Sequence, residues 1–168
     1  MKKRLLLMVV IIVGLVLGTV FVAYAGSKGK ITGSMKAVYG TGYNWFQVNI
    51  HVDPSGEPSG FAKYRSWTEA PNEWGYWIAE PICVSFVEYG GMPAAILVTR
   101  FTEDDEDLLV GQYAKSIIVD SGSNAKNDML GLVVWPPVND ELDCSYQEPF
   151  WLWSGVGGNI TIHNPKVD

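Results

Sequence analysis

The sequence predicts an all-β protein, a single antiparallel β-sandwich or barrel of roughly eight to ten strands after an N-terminal signal segment. Beyond residue 25 the chain is dense in Val, Ile, Trp, Tyr, Phe and Thr, with clusters of Gly, Pro, Asn, Asp and Ser about every ten residues. No apolar pattern with helical spacing persists for the roughly ten residues that a helix needs.

The predicted strands follow one another with turn residues between them. From Phe46 to Val52 apolar and polar residues alternate, which is typical of a half-buried strand. The Pro- and Gly-rich run 53–60 predicts a turn, and the Gly-Gly pair at 90–91 predicts a hairpin. Residues 71–75 are predicted to form a loop. Residues 120–128 are predicted to form a polar hairpin loop. Further strands are predicted at residues 61–67, 78–89, 94–102, 109–119, 130–135, 150–153 and 159–163.

The N-terminal residues have the features of a secretory signal peptide. A basic cluster at residues 2–4 precedes an apolar run at 5–25, which ends in the small-residue cleavage pattern Ala-Tyr-Ala. We therefore expect residues 1–25 to be removed and residues 26–168 to form one secreted or extracytoplasmic domain. Because the apolar run is also long enough to span a bilayer, an uncleaved membrane anchor at residues 5–25 is the alternative.

The charge balance limits the partners. Without the three basic residues of the signal segment, the formal net charge of −6 becomes −9. An acidic domain of this kind disfavours nucleic acid and anionic membrane surfaces. Contact with a membrane is therefore expected only through the N-terminal segment, if that segment is not cleaved.

Cys83 and Cys144 are the two cysteines of the chain. In an exported domain an even pair of cysteines favours one disulfide bond. There is no CxxC motif and no nearby histidine to complete a zinc site. We therefore predict a disulfide between Cys83 and Cys144.

A run of five acidic residues is the sharpest local anomaly, and it contains the candidate ligands of a weak calcium site, Glu103, Asp104, Asp105 and Asp107. Calcium takes about six to eight oxygen ligands, but alternate residues of such a run point apart and the EF-hand spacing is absent. A solvated loop is therefore the favoured interpretation, and no other cofactor is expected.

Two pairs of polar residues have structural interpretations. Asp120 and Asp128 flank the predicted hairpin loop, and we expect their carboxylates to accept hydrogen bonds from backbone N–H groups. His51 and His163 lie on the polar sides of predicted strands, and no nucleophile motif accompanies them. We therefore expect both histidines to be surface residues rather than catalytic groups.

Seven tryptophans are a high number for a chain of this length. Aromatic rings near loops can form a binding platform, and the candidate binding residues are Trp74, Tyr76, Trp77, Trp151 and Trp153. The alternative is that these large rings fill the core. Exposure of the rings would separate the two interpretations.

Three segments carry a resemblance to known proteins: Gly157–His163 (GGNITIH), a predicted hairpin that runs from VDSG at 119–122 to the strand at 128–134, and SGFAKY at 59–64. In their order and spacing they resemble a class of secreted bacterial β-domains with a C-terminal GGNIxIH-type strand. The resemblance implies an all-β sandwich or barrel but no mechanism, because the class has no settled activity. The Trp- and Pro-rich stretch 135–153 departs from the class.

Three hypotheses for function follow. The first is an exported, non-catalytic β-domain with a recognition or structural role, whose partner is a carbohydrate or a cell-surface protein. The second is a carbohydrate-binding module with a Trp/Tyr platform. The third is a secreted hydrolase with an unrecognised carboxylate pair, which no motif of the sequence favours.

Overall fold

The computed structural model describes residues 28–39, 42–68, 73–122 and 127–163. The predicted signal segment lies outside these residues. The described part of the chain contains eight β-strands and no α-helix, so no helix in it could cross a membrane. The strands are β1 (Gly29–Tyr39), β2 (Gly42–Val52), β3 (Pro58–Thr68), β4 (Glu73–Tyr89), β5 (Met92–Asp104), β6 (Tyr113–Val119), β7 (Met129–Val138) and β8 (Trp151–His163).

The eight strands form a closed antiparallel barrel. Each strand pairs with the next along the chain, and β8 pairs with β1, from Lys30 opposite His163 to Ala37 opposite Gly155. The predicted single antiparallel β-sandwich or barrel is confirmed, and closure identifies it as a barrel. Closure pairs the outermost strands and removes the free edges that an open sheet would expose.

One end of the barrel is filled by apolar side chains. Alternate residues of each strand point inward, so the residues that alternate along β2 contribute Phe46, Val48 and Ile50 to the core. Side chains from the other strands complete this core, and the largest of them are Ile31, Met35, Leu97, Ile118 and Ile160. The turns between β2 and β3 and between β4 and β5 lie at this closed end.

Two glycines let neighbouring strands approach closely. Gly33 has φ 129° and Gly60 has φ 117°, conformations that residues with a Cβ rarely adopt. A Cβ at Gly33 would lie 2.0 Å from the carbonyl oxygen of Asn159, and a Cβ at Gly60 would lie 2.0 Å from that of Asn49. Glycine at these positions therefore lets the strands curve into a closed barrel.

Two buried carboxylates complete the hydrogen bonding of β8. Pairing of β8 with β7 runs only to Ser154, which lies opposite Met129. Further along β8, the N–H of Ile160 donates to Asp128 Oδ2 at 2.7 Å, and the N–H of Ile162 donates to Asp120 Oδ2 at 2.9 Å. The side chains thus replace a missing neighbouring strand.

The same two aspartates also hold the turn that follows β6. Asp128 Oδ1 accepts hydrogen bonds from the backbone N–H and the hydroxyl of Ser121, and Asp120 Oδ1 accepts one from the N–H of Gly122. The prediction that both carboxylates accept backbone N–H groups is confirmed. Their additional reach to β8 was not foreseen.

Residues 139–150, which we call the strap, connect β7 to β8 across the outside of the barrel. Cys144 of the strap forms a disulfide with Cys83 of β4, with 6.0 Å between the Cα atoms, so the predicted disulfide is confirmed. Cys144 also packs beside a cluster on the outer face of β5 and β6 that includes Ile96 and Ile117. The strap therefore covers an apolar part of the outer surface.

A buried lysine fixes the strap at a second place. The side chain of Lys115 is 2% exposed, and its Nζ donates to Asp143 Oδ1 at 3.1 Å and to Gln147 Oε1 at 3.2 Å. The hydroxyl and N–H of Ser145, followed by the Lys115 ammonium, lower the pKa of Asp143 from 3.8 to about 2. The carboxylate is therefore ionised over the physiological range.

Some strands differ from the prediction. β1 was not predicted, β8 is continuous where two short strands were expected, and β4 begins at Glu73, within the predicted loop 71–75. β6 begins at Tyr113, because residues 109–112 belong to the turn after the acidic run. Closure of the barrel accounts for β1 and for the length of β8, because these two strands pair with each other from Lys30 to Ala37.

Candidate functional site

A cavity of about 370 Å³ opens at the end of the barrel opposite the packed core. Its described lining includes residues near the ends of several strands: Tyr43 in β2, Trp67 in β3, Phe101 in β5 and Trp151 in β8. Ten of its seventeen described lining residues are aromatic: Tyr43, Trp45, Phe46, Tyr64, Trp67, Trp77, Phe101, Phe150, Trp151 and Trp153.

The strand register brings these rings together from distant parts of the chain. Tyr64 of β3 lies opposite Trp77 of β4, and Leu130 of β7 lies opposite Trp153 of β8. Since residues directly opposite each other in antiparallel strands share a face, these cross-strand pairs form the wall of the cavity. Trp151 is one inward position closer to the mouth than Trp153, and the two ring centroids are 5.9 Å apart.

The floor of the cavity is an aromatic cluster with hydroxyl groups. The ring centroids of Phe46 and Tyr64 are 4.9 Å apart, and those of Tyr64 and Phe101 are 6.1 Å apart. Burial raises the pKa of Tyr64 above its ordinary value, and the hydroxyls of Ser116 and Thr99 oppose this only in part. The phenol therefore stays protonated at neutral pH, so it can donate a hydrogen bond within the barrel.

Three of the five predicted binding residues line the cavity. Trp77 and Trp153 are half-buried in its wall, and Trp151 is 45% exposed at the mouth beside Phe150. These rings surround a concave space rather than forming a flat platform.

Tyr76 and Trp74 are the other two predicted binding residues. Tyr76 is 37% exposed and lies opposite Arg65 on the outer face of the barrel. The backbone of Trp74 belongs to β4, but its side chain lies outside the described part of the molecule. Tyr76 is not among the described residues that line the cavity.

The acidic run forms the turn between β5 and β6. Asp104 Oδ2 accepts the N–H groups of Leu108 at 2.8 Å and Leu109 at 3.0 Å, so this carboxylate organises the turn itself. Partial burial raises the pKa of Asp105, and the hydrogen bond and charge of Asp104 raise it further. In the described ranges, no group of three or more His, Cys, Asp or Glu residues is placed to hold a metal ion. The calcium site at residues 103–107 stays a prediction.

Several lining residues were not proposed from the sequence. Phe46, Tyr64 and Phe101 build the floor, and Tyr43 and Trp45 reach the rim of the cavity from the outer face of β2. The alternation along β2 was a usable signal, because it assigns Phe46 to the interior. The alternation does not indicate that the packed core ends at Phe46 and that a cavity occupies the rest of the barrel.

Comparison of the chain with protein-family models, with curated proteins and with solved structures found no match. The assignment of a function therefore depends on the geometry and chemistry of the cavity.

Proposed function

We propose that this protein is an exported, non-catalytic binding protein that holds one small apolar or aromatic molecule in the open end of its barrel. The observation that carries the proposal is the cavity of about 370 Å³ with ten aromatic residues in its lining. An eight-stranded barrel is just wide enough either to be filled by side chains or to hold one small ligand. Here side chains fill one end only.

The size and lining of the cavity support a ligand of small organic dimensions. Ligand sites are concave, of roughly 300–1,000 Å³, and mostly apolar with a few polar groups. The wall offers ring faces and edges to a flat or apolar ligand. The Tyr64 hydroxyl and Ser116 at the floor can hydrogen-bond one polar substituent. We therefore expect a neutral, largely aromatic or apolar ligand with a single hydroxyl or carbonyl group.

The chemistry of the lining supports binding rather than catalysis. Its seventeen described residues include no His, Cys, Asp or Glu, the residue types that most often transfer protons or act as nucleophiles. The disulfide is compatible with an extracytoplasmic protein. Export itself is part of the proposal, and it is motivated by the apolar segment at residues 5–25.

The proposal is tested with N-phenyl-1-naphthylamine, a neutral aromatic probe whose fluorescence rises in an apolar site. We expect saturable binding of one probe molecule per protein. A ligand of this size gains roughly 0.3 kcal/mol per non-hydrogen atom, which corresponds to a Kd on the order of 0.1 mM.

Two variants assign that binding to the cavity. Leu132→Trp adds volume to an inward position of the lining and should abolish probe binding. Val156→Trp adds the same side chain at a position that is 50% exposed and outside the lining, and it should bind the probe as the wild type does. Unchanged binding by the Leu132→Trp protein, or no saturable binding by the wild type, would contradict the proposal.

A further inference from the structure

The formal charges of the barrel are unevenly distributed over its outer surface. The four neighbouring strands β8, β1, β2 and β3 contain no Asp or Glu. They contain four basic residues, Lys30, Lys36, Lys63 and Arg65. We call these four residues the cationic face. The protein therefore has a positively charged surface on these four strands although its net charge is negative.

Strand register places these cations on one face with aromatic residues between them. Lys36 lies opposite Trp45, Trp45 lies opposite Arg65, and Arg65 lies opposite Tyr76, so cation and ring alternate across four strands. With about 4.8 Å between neighbouring strands, Lys36 and Arg65 are roughly 10 Å apart at the backbone. Along β1 the face extends from Lys36 to Lys30, roughly 20 Å at about 3.3 Å per residue.

The rings hold the ammonium groups in place. Lys36 Nζ lies 3.8 Å from the centroid of the Tyr43 ring and 4.9 Å from that of Trp45, and Lys63 Nζ lies 5.0 Å from that of Phe61. Contacts of this kind attract a cation to a ring face. They also restrict the rotamers of a long side chain, which lowers the entropic cost of binding an anion.

We infer that the cationic face binds an acidic polysaccharide. The basic side chains pair with the carboxylates of the polymer. Exposed amides lie among the cations, since Gln47 is opposite Ser34 and Lys63, and Asn49 is opposite Thr32. Amides and hydroxyls in this arrangement hydrogen-bond sugar hydroxyls.

Two other anionic partners fit this face less well. A membrane surface is usually contacted by exposed aromatic anchors, whereas the described large apolar residues that are more than 36% exposed on the outer face of these four strands are the aliphatic Val38 and Val156. Single-stranded nucleic acid stacks its bases on open ring faces. Here the Tyr43 ring stacks on Trp67 with 5.7 Å between centroids, and Lys36 lies over the same ring.

The test is calorimetric titration of the wild type with an alginate hexasaccharide, an acidic sugar oligomer, and with cellohexaose, a neutral oligomer of the same length. We expect binding of the alginate oligomer only, and weaker binding at higher salt. Lys36→Gln and Arg65→Gln should each lower the affinity about fivefold, the effect of one partly screened charged contact. The double variant should lower it by more than about tenfold.

Arg100→Gln is the matched control, because it removes one cation that is paired with Glu80 on another part of the outer surface. It should bind the alginate oligomer as the wild type does, and thermal melting checks that every variant is folded. Equal binding of cellohexaose, or an unchanged affinity in the double variant, would overturn the inference. Tighter, Lys36-dependent binding of oligothymidylate or of phosphatidylglycerol vesicles would also overturn it, as would Lys36-dependent self-association of the protein.

Discussion

Replacing Asp128 with alanine is expected to destabilise the barrel more than any other single change of a carboxylate. Asp128 is fully buried, and its two oxygens accept hydrogen bonds from the N–H and hydroxyl of Ser121 and from the N–H of Ile160. Alanine leaves these donors without their acceptor. Because Ile160 is itself 0% exposed, water cannot replace the lost bond to β8 without opening the barrel.

The expected loss follows from the number of donors. Each buried N–H that loses its partner costs about 1–3 kcal/mol, with bonds to a charged acceptor at the upper end. The Ile160 N–H is fully buried and that of Ser121 is partly buried, so we expect a total of about 3 kcal/mol. For a domain of this size the melting temperature should fall by about 10 °C.

Asp53→Ala is the control for this prediction. Asp53 Oδ1 also accepts three hydrogen bonds, two from Ser55 and one from the N–H of Glu57, but in an exposed turn where water can replace it. The assay is unfolding of the oxidised protein in guanidinium chloride, followed by tryptophan fluorescence. If both variants lose the same stability, burial of the Asp128 carboxylate is not the source of its effect, and the reasoning is wrong.

Three further predictions concern the strap. The disulfide closes a loop whose cysteines are 61 residues apart. Replacing Cys83 and Cys144 with serine should therefore lower the free energy of unfolding by up to about 4 kcal/mol, the value that the chain-entropy model gives for a loop of this length. A reducing agent should lower the denaturation midpoint of the wild type and leave that of the variant unchanged. The lowered pKa of Asp143, about 2 in the folded protein against 3.8, contributes stability that is present above about pH 4 and lost as the pH falls toward 2. The melting temperature of Asp143→Asn should therefore depend less on pH in this range, and an identical profile would contradict the ion pair. The free energy of unfolding of Lys115→Met, measured by chemical denaturation, should be within about 1 kcal/mol of the wild-type value, because methionine preserves the buried aliphatic part of the side chain. That of Lys115→Ala should be lower by about 2–4 kcal/mol. Equal losses in the two variants would show that the charge of Lys115 matters more than its packing.

The sequence was sufficient to predict the fold class and the crosslink because both depend on local or elementary signals. Alternation from Phe46 to Val52 identifies a strand with one buried face, and two cysteines in a chain that is predicted to be exported leave one pairing. The strand β1 gives no such signal. Its inward residues Ile31, Met35 and Ala37 are separated by Gly33, so its apolar pattern is incomplete. Pairing with β2 on one side and β8 on the other stabilises it.

The cavity was predictable only in part, because it depends on which face each ring occupies. Tyr76 and Trp77 are adjacent in sequence, yet one is on the outer face and the other lines the cavity. Register shifts between Ile78 and Ala79, and between Pro81 and Cys83, change the alternation along β4. A strand with such irregularities cannot be assigned inward and outward positions from periodicity alone.

The pairing of β1 with β8 has a consequence for how the protein is made. Every other pair joins strands that follow one another, so these hairpins can form before the whole chain is available. β1 can pair on its second side only after the last strand, β8, has formed. Until then the sheet has two unpaired edges that can pair with other chains. The final and most vulnerable step of biogenesis is therefore the docking of β8, when Asp120 and Asp128 receive its backbone. Molecules stalled before this step are the ones we expect to aggregate or to exchange strands.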